Sequence, residues 1–359
     1  MTESYIGVMS GTSLDGIDVA LCEIDDETCV LKASLEYPFD EELKKRILKV
    51  IDSNTTLYEL GKIDHDLALL FADSINLLLK QENINSNDIK AVGLHGQTMW
   101  HEASIFSMQL GDASIVSVKT GIDVVSDFRR KDMALGGQGA PFAPAFHEFI
   151  FKKLYKTCVV NIGGISNITL LGESLSGYDI GSGNVLLDFW INKHQNKAYD
   201  KDGLWAKSGS VHKELLFNLL SEEYFALEAP KSTGRELFNE AWLNIHMCKF
   251  STIKPQDIQA TLLELTAQSI KNEIIKYSLE LVLICGGGSK NSFLMQRLKE
   301  LLPNLKVVAT DEYGASSDFL EAMAFAWFAK KRVHKEKVNL RSVTGSSKNS
   351  VLGAIYAKG

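Results

Sequence analysis

The sequence predicts an α/β protein of two lobes, each opening with a β-hairpin and continuing in strand–helix units. Two observations carry this reading. An apolar strand, a turn of small residues and a second strand occur at residues 5–24 and recur at 157–171. Glycine clusters close strands in both halves, and 359 residues is length enough for two lobes. A duplicated fold of this kind is expected to bind ligands in a cleft between lobes, at the carboxyl ends of its strands.

The first apolar run, Tyr5 to Met9, enters a turn of Ser10, Gly11, Thr12, Ser13, Asp15 and Gly16, and Ile17 to Ile24 leaves it. A third strand is expected at Cys29–Tyr37, and apolar residues three and four apart predict helices at 41–51 and 57–79. Ile89–Leu94 reads as a strand ending in His95-Gly96-Gln97-Thr98, residues 112–120 as a helix, and Asp123–Ser126 as a strand ending at Asp127 and Arg129. The run Leu135–Ala140, rich in glycine, is the expected crossing between lobes and a hinge candidate. Expected boundaries are therefore 1–134 for the first lobe and 135–339 for the second, with 340–359 a candidate to return to the first.

The pattern then restarts. Thr157–Ile162 and Ile168–Leu171 flank a Gly/Ser/Asn turn, a strand near 174–179 closes on Asp179-Ile180-Gly181-Ser182-Gly183-Asn184, and a helix starts at about Val185. Helical stretches follow near 211–219, 234–249 and 256–277. Leu281–Cys285 is a strand entering Gly286-Gly287-Gly288, with a helix at 292–302, a strand at 305–309 and a long apolar helix at 318–332.

A net charge of −7 argues against a nucleic-acid or anionic-membrane surface as partner and leaves a phosphorylated small ligand open. No run approaches 18 apolar residues, so no membrane span is expected. Cys22, Cys29, Cys158, Cys248 and Cys285 form no C-x-x-C pair and read as buried thiols of a reducing compartment. Met1–Ser4 leads straight into a strand without an export signal, so the expected location is cytoplasmic.

The turns carry the chemistry. Glycines at 11 and 16 let backbone N–H groups approach an anion, while carboxylates at 15 and 18 beside a phosphate call for a cation. Read alone, the loop is more simply an ordinary hairpin turn. Three glycines before a helix open its N-terminus to a flat or anionic ligand. Asp179, at a strand end, suits either general base or hydrated Mg²⁺, or else a turn-forming cap. Arg129 is placed to clamp a carboxylate and Asp127 to accept a hydroxyl, or the two form a salt bridge. Glu321 either caps a helix or points into the cleft. His95, Gln97 and His101 lack a third ligand at zinc spacing. There is no Walker A run, no G-x-G-x-x-G after the first strand and no G-x-S-x-G elbow.

Together the hairpin loop, the turn ending in Asp179-x-Gly181 and the 286–288 glycines resemble the two phosphate segments and the adenosine segment of the actin, Hsp70 and hexokinase superfamily, whose fold is ribonuclease H-like. More narrowly, the chain resembles the anhydro-N-acetylmuramic acid kinase family, through VMSGTSLDGID (8–18), GLHGQT (93–98), SDFR (126–129), ALGGQGAPFAPA (134–145), NIGGISNIT (161–169), STGRELFN (232–239), GGGSKN (286–291) and DEYGASSDFLEA (311–322). Ser182 stands where that family usually has proline, and so does Arg341.

The resemblance implies ATP and Mg²⁺ as cofactors, an amino sugar as substrate, and a homodimer. It implies that Asp179 is the catalytic base. It implies ATP and phosphate contacts at Gly11, Thr12, Ser13, Leu14, Asp15, Gly16, Ile17, Asp18, Asn161, Gly163, Gly164, Gly181, Gly286, Gly287, Gly288 and Asn291, with Asp15 or Asp179 candidates to reach Mg²⁺. Sugar contacts fall on His95, Gln97, Asp127, Arg129 and Glu321. The implied reaction opens the 1,6-anhydro ring with water and phosphorylates O6. An ordinary sugar-hydroxyl kinase and an actin- or Hsp70-like nucleotide switch are the competing readings.

Overall fold

A computed structural model describes residues 1–359 except 12, 13, 15, 53, 54 and 173. Twelve strands run through the described residues. They are β1 (Glu3–Ser10), β2 (Gly16–Ile24), β3 (Cys29–Pro38), β4 (Ile89–Glu102), β5 (Phe106–Leu110) and β6 (Val124–Ser126), then β7 (Thr157–Ile162), β8 (Ile165–Leu171), β9 (Ser176–Ser182), β10 (Leu281–Cys285) and β11 (Lys306–Ala309), and last β12 (Ala354–Tyr356). The first sheet has the order β12-β6-β4-β1-β2-β3, with β5 on β4; the second has β11-β10-β7-β8-β9. The expected duplication is visible in these orders. In each sheet the first three strands form an antiparallel meander, and two later strands add parallel to the first strand on its other side.

The chain divides into two compact units, Met1–Ile150 with Phe319–Gly359, and Phe151–Asp318. Residues 135–150 and 319–339, expected in the second lobe, thus belong to the first unit. The physical reason is local. Buried Asp132 accepts from the Gly139 N–H at 2.9 Å and from the Thr344 hydroxyl at 2.8 Å, and Gln138 N–H donates to the Thr344 carbonyl at 2.9 Å. The glycine-rich run is thereby tied inside the first unit, and the crossings fall at 150/151 and 318/319.

In the first unit, helix Leu57–Glu82 buries Ile63, Leu67, Phe71, Ile75 and Leu78 at helical spacing, capped by Thr56, which accepts from Glu59 N–H at 3.1 Å. Helix Leu320–Val333 rests on β1 and β4 in another way. Gly7 and Gly93 are register partners, and a Cβ on either would overlap this helix's backbone, at the Ala322 and Phe325 carbonyls. Only glycine admits so close an approach. In the second unit, helix Pro255–Ile274 has proline at its start and is buried along most of its length. It shares a core with Val160, Ile162, Ile180, Val282 and Ile284.

Several expectations are corrected. β4 continues to Glu102 because β5 pairs with it from Gln97 onward. Helices Phe128–Ala134 and Ala143–Phe151, for which the sequence pattern set no expectation, flank the glycine-rich run 135–140, which is not helical. The expected helix at 234–249 shortens to Glu240–Met247, where Asn239 caps it by accepting from Trp242 N–H at 3.0 Å. Cys248 lies exposed just past that helix, whereas the other four cysteines are buried.

Adding one methyl group at Gly93 should force the helix off the sheet. Gly93→Ala is expected to destabilise the first unit by about 3 kcal/mol, read as a lowered midpoint in denaturant unfolding. His147 gives a pH-linked expectation. Burial pushes its imidazole down to about 3, against about 6.5 in an unfolded chain. Stability is complete above the unfolded value and is lost as pH falls toward the folded one. From pH 7 to pH 5 the loss is about 2 kcal/mol, and His147→Gln should flatten it in unfolding midpoints measured across that range.

Candidate functional site

In the second unit the predicted residues gather at the ends of β7, β9 and β10. Asn161 pairs with Cys285 across the parallel strands. Gly286 follows with a φ of 76°, a left-handed backbone, and a Cβ there would overlap Asn161 Oδ1. The Gly163 and Gly164 carbonyls accept from Asn184 N–H at 2.8 Å and from Gly183 and Val185 N–H at 2.9 and 3.1 Å. The turn between β7 and β8 is thus locked to the start of helix Val185–Gln195. The Thr266 hydroxyl adds a bond to the Gly183 carbonyl at 2.9 Å, so the turn holds with Ser182 in place of proline. Gly181 lies in β9 against the Phe225 ring. The glycine run does not lead directly into the next helix. Gly287–Lys290 forms a 3₁₀ turn, Gly288 packs on Ile162, and Asn291 caps helix Ser292–Leu301 by accepting from Leu294 N–H at 3.0 Å. Beside it lies a groove of about 670 Å³ bordered by Ser289, Lys290, Met295 and Ala309.

Asp179 stands within β9, the edge strand of that sheet, rather than at the strand end expected from the sequence, and is partly buried. Its Oδ2 accepts from the Ser232 hydroxyl at 2.9 Å and from Thr233 N–H at 3.1 Å. Its carboxyl is raised above the ordinary aspartate value. Burial is the main cause and nearby Glu236 adds to it, while the two hydrogen bonds work in the other direction. A carboxylate that holds a proton more readily than usual is a better base.

In the first unit three predicted residues meet. Arg129 donates from Nε and Nη2 to His95 Nε2, at 3.1 and 2.9 Å, and from Nη1 to the Gly139 carbonyl at 2.7 Å. Accepting these bonds requires a neutral imidazole. Its own burial, then the charge of Arg129, push His95 well below the usual histidine range. Desolvation lowers Arg129 to about 10, against the attraction of Glu321 and Asp132, which leaves it charged at neutral pH. Glu321 is exposed on its helix, yet desolvation by the surrounding protein raises its carboxyl, and Arg129 counters this.

Asp127 does not pair with Arg129. It takes a left-handed φ of 59° and faces Arg130 at 3.5 Å, and burial raises its carboxyl. Gln97 is fully buried at the end of the hairpin, where the Ser10 hydroxyl donates to its side-chain oxygen. His101 bonds to Ser107 rather than joining the group.

Of the first loop, Thr12, Ser13 and Asp15 lie outside the described residues. Gly11 accepts from Leu14 N–H at 3.3 Å. Leu14 and Ile17 have fully buried side chains in the first unit's core, so only their backbone is left to meet a ligand. Gly16 and Asp18 lie in β2, with Asp18 opposite Met9. Among the described residues, no group of three or more His, Cys, Asp or Glu is placed to hold a metal ion, and no helix is long and apolar enough to cross a membrane.

A family profile described as anhydro-N-acetylmuramic acid kinase matches residues 3–358. The chain belongs to that family. The protein named anhydro-N-acetylmuramic acid kinase in Sulfurimonas denitrificans is 55% identical over 367 residues, covering 99% of this chain and 100% of its own. Its namesake in a Sulfurovum species is 54% identical over 360 residues, covering 99% of each. Among solved structures, the activator of the 2-hydroxyisocaproyl-CoA dehydratase from Clostridium difficile with bound ADPNP aligns with a TM-score of 0.44 at 13% identity, over 92% of this chain and 94% of that one.

The anhydro-N-acetylmuramic acid kinase segment STGRELFN adds residues that the site prediction omitted. Ser232 and Thr233 hold the Asp179 carboxylate, and the Tyr224 hydroxyl donates to the Asp179 carbonyl at 2.8 Å. The signal available in the sequence was the small polar run 232–234 itself. Its partner, 53 residues earlier, becomes visible only in the fold. Gly286→Ala should push Asn161 off its position and strain the backbone, lowering the thermal midpoint of the second unit. An unchanged midpoint would show that the turn accommodates a side chain.

Proposed function

We propose that this chain is an ATP-dependent kinase acting on 1,6-anhydro-N-acetylmuramic acid. It opens the anhydro ring with water and gives N-acetylmuramic acid 6-phosphate and ADP. Membership of the family over nearly the whole chain carries the reading. The hydrogen-bonded, raised Asp179 supports the chemistry.

A glycosidase uses two carboxylates, one to protonate the leaving oxygen and one to activate water. Here one suffices, because the leaving oxygen is O6 of the same sugar. Asp179 takes a proton from water as its oxygen bonds to C1. The C1–O6 bond breaks, and O6 takes the γ-phosphoryl group as ADP leaves. On the first unit, Arg129 binds the lactyl carboxylate through the N–H groups that His95 and Gly139 leave over, with Asp127 and Glu321 beside the sugar. The described N–H groups of the first loop and the turns at 163–164 and 286–288 hold the nucleotide's phosphates and adenosine. Mg²⁺ supplies charge neutralisation on the phosphates. It would be carried by the nucleotide's phosphates, with Asp15 or Asp179 the candidates to reach it.

Gln97 and Asn291 fit structural roles better than ligand contacts, since Ser10 engages one and the helix N-terminus the other. Turnover in ¹⁸O-labelled water separates the proposed reaction from an ordinary hydroxyl kinase. Label at C1 of the product is expected, and its absence would overturn the hydrolytic step. Asp179→Asn should lower kcat by about 10³ or more while sugar binding persists; a near-normal rate would move the base elsewhere.

A further inference from the structure

Behind Asp179 lies an ion pair that the reaction itself does not use. Lys231 Nζ and Glu273 Oε1 are 2.7 Å apart, and the two side chains are 2% and 5% exposed. Glu273 belongs to helix Pro255–Ile274 and also accepts from the Tyr178 hydroxyl at 3.1 Å and from Lys276 at 2.8 Å. The Lys231 ammonium lies 5.0 Å from the centre of the Tyr224 ring. Burying a pair of charges is costly, and an apolar pair of the same size would serve stability as well. The backbone around the pair gives it another use.

Outside its sheet, the hydrogen bonds described for Asp179 run through the segment that this pair fixes, or through Tyr224. Asp179 N–H donates to the Lys231 carbonyl at 3.1 Å. The next two residues, Ser232 and Thr233, donate to its Oδ2 at 2.9 and 3.1 Å. Tyr224, under the Lys231 ammonium, donates to its carbonyl at 2.8 Å. Both side-chain bonds reach the same oxygen.

We propose that the buried Lys231–Glu273 pair is a positioning device for Asp179. It anchors residues 231–233 to the central helix, so that Ser232 and Thr233 hold Oδ2 and leave Oδ1 as the oxygen that takes the proton from water. Lys231 and Glu273 act through the backbone and touch neither sugar nor nucleotide. The inference rests on Asp179 being the base.

The test measures kcat, KM for the anhydro-sugar and thermal midpoint on the full chain. Ser232→Ala removes one donor from an exposed position and should lower kcat about tenfold, with KM within about twofold and the midpoint unchanged. Ser232→Thr keeps the hydroxyl and should recover most of the rate. Lys231→Met leaves the buried Glu273 Oε1 without its cation, Lys276 and Tyr178 still holding Oε2, and should lower the midpoint. Adding Glu273→Gln removes that charge and should restore the midpoint while kcat stays at least about tenfold down. Recovery of kcat together with the midpoint would overturn the proposal, as would wild-type kcat in Ser232→Ala. If the double variant stays unstable, Ser232→Ala decides. Near-normal turnover of Asp179→Asn would remove the base assignment itself. An inactive Asp179→Asn beside unaffected Ser232→Ala and double variants would remove only the positioning role.

Discussion

Close approach of backbone to backbone governs the first unit. With no Cβ at Gly7 or Gly93, helix Leu320–Val333 lies directly on β1 and β4. That seat fixes where the helix's other side chains fall. Phe325 packs with its ring centre 4.7 Å from that of His95 and 5.4 Å from that of Phe128. His95, held neutral, receives Arg129, and Glu321 on the same helix supplies the opposing charge. The charged group is therefore oriented by an apolar contact, and the contact exists because two residues lack side chains.

The second unit uses backbone hydrogen bonds for the same purpose. A turn of two glycines gives its carbonyls to residues 183–185, which locks the end of β9 and the helix after it. Asp179 then sits on a strand whose far end is set, and its carboxylate is fastened by a loop that comes from 53 residues later. Burial raises its proton affinity while two donors restrain the rise, a balance that suits a base which must be ionised before it can act.

Electrostatics within the two units differ in kind. The Arg129 group puts one charge beside a neutral acceptor, and its N–H groups are directed by the bonds to His95 and Gly139. Around Asp179 the buried charges of Lys231 and Glu273 face each other, and the carboxylate itself is held by hydrogen bonds, with the charge of Glu236 nearby. Local geometry in both places counts for more than the net charge of −7.

The duplicated α/β plan was legible because strand–turn–strand patterns and strand-end glycines follow from local periodicity, which β1–β2 and β7–β8 obey. Asp179, Arg129 and the glycine turns stood out as residue types whose chemistry is unusual at strand ends. The family, too, was readable from motifs in order along the chain. What local pattern could not reveal was who meets whom. Asp127 faces Arg130 while Arg129 turns to His95, Leu14 and Ile17 point into the core, and residues 135–150 are tied to Thr344 two hundred residues away. Ser232 and Lys231 reached Asp179 only through the fold. Periodicity reports which side of an element is buried; partners distant in sequence are chosen by packing, and only the tertiary structure makes that choice.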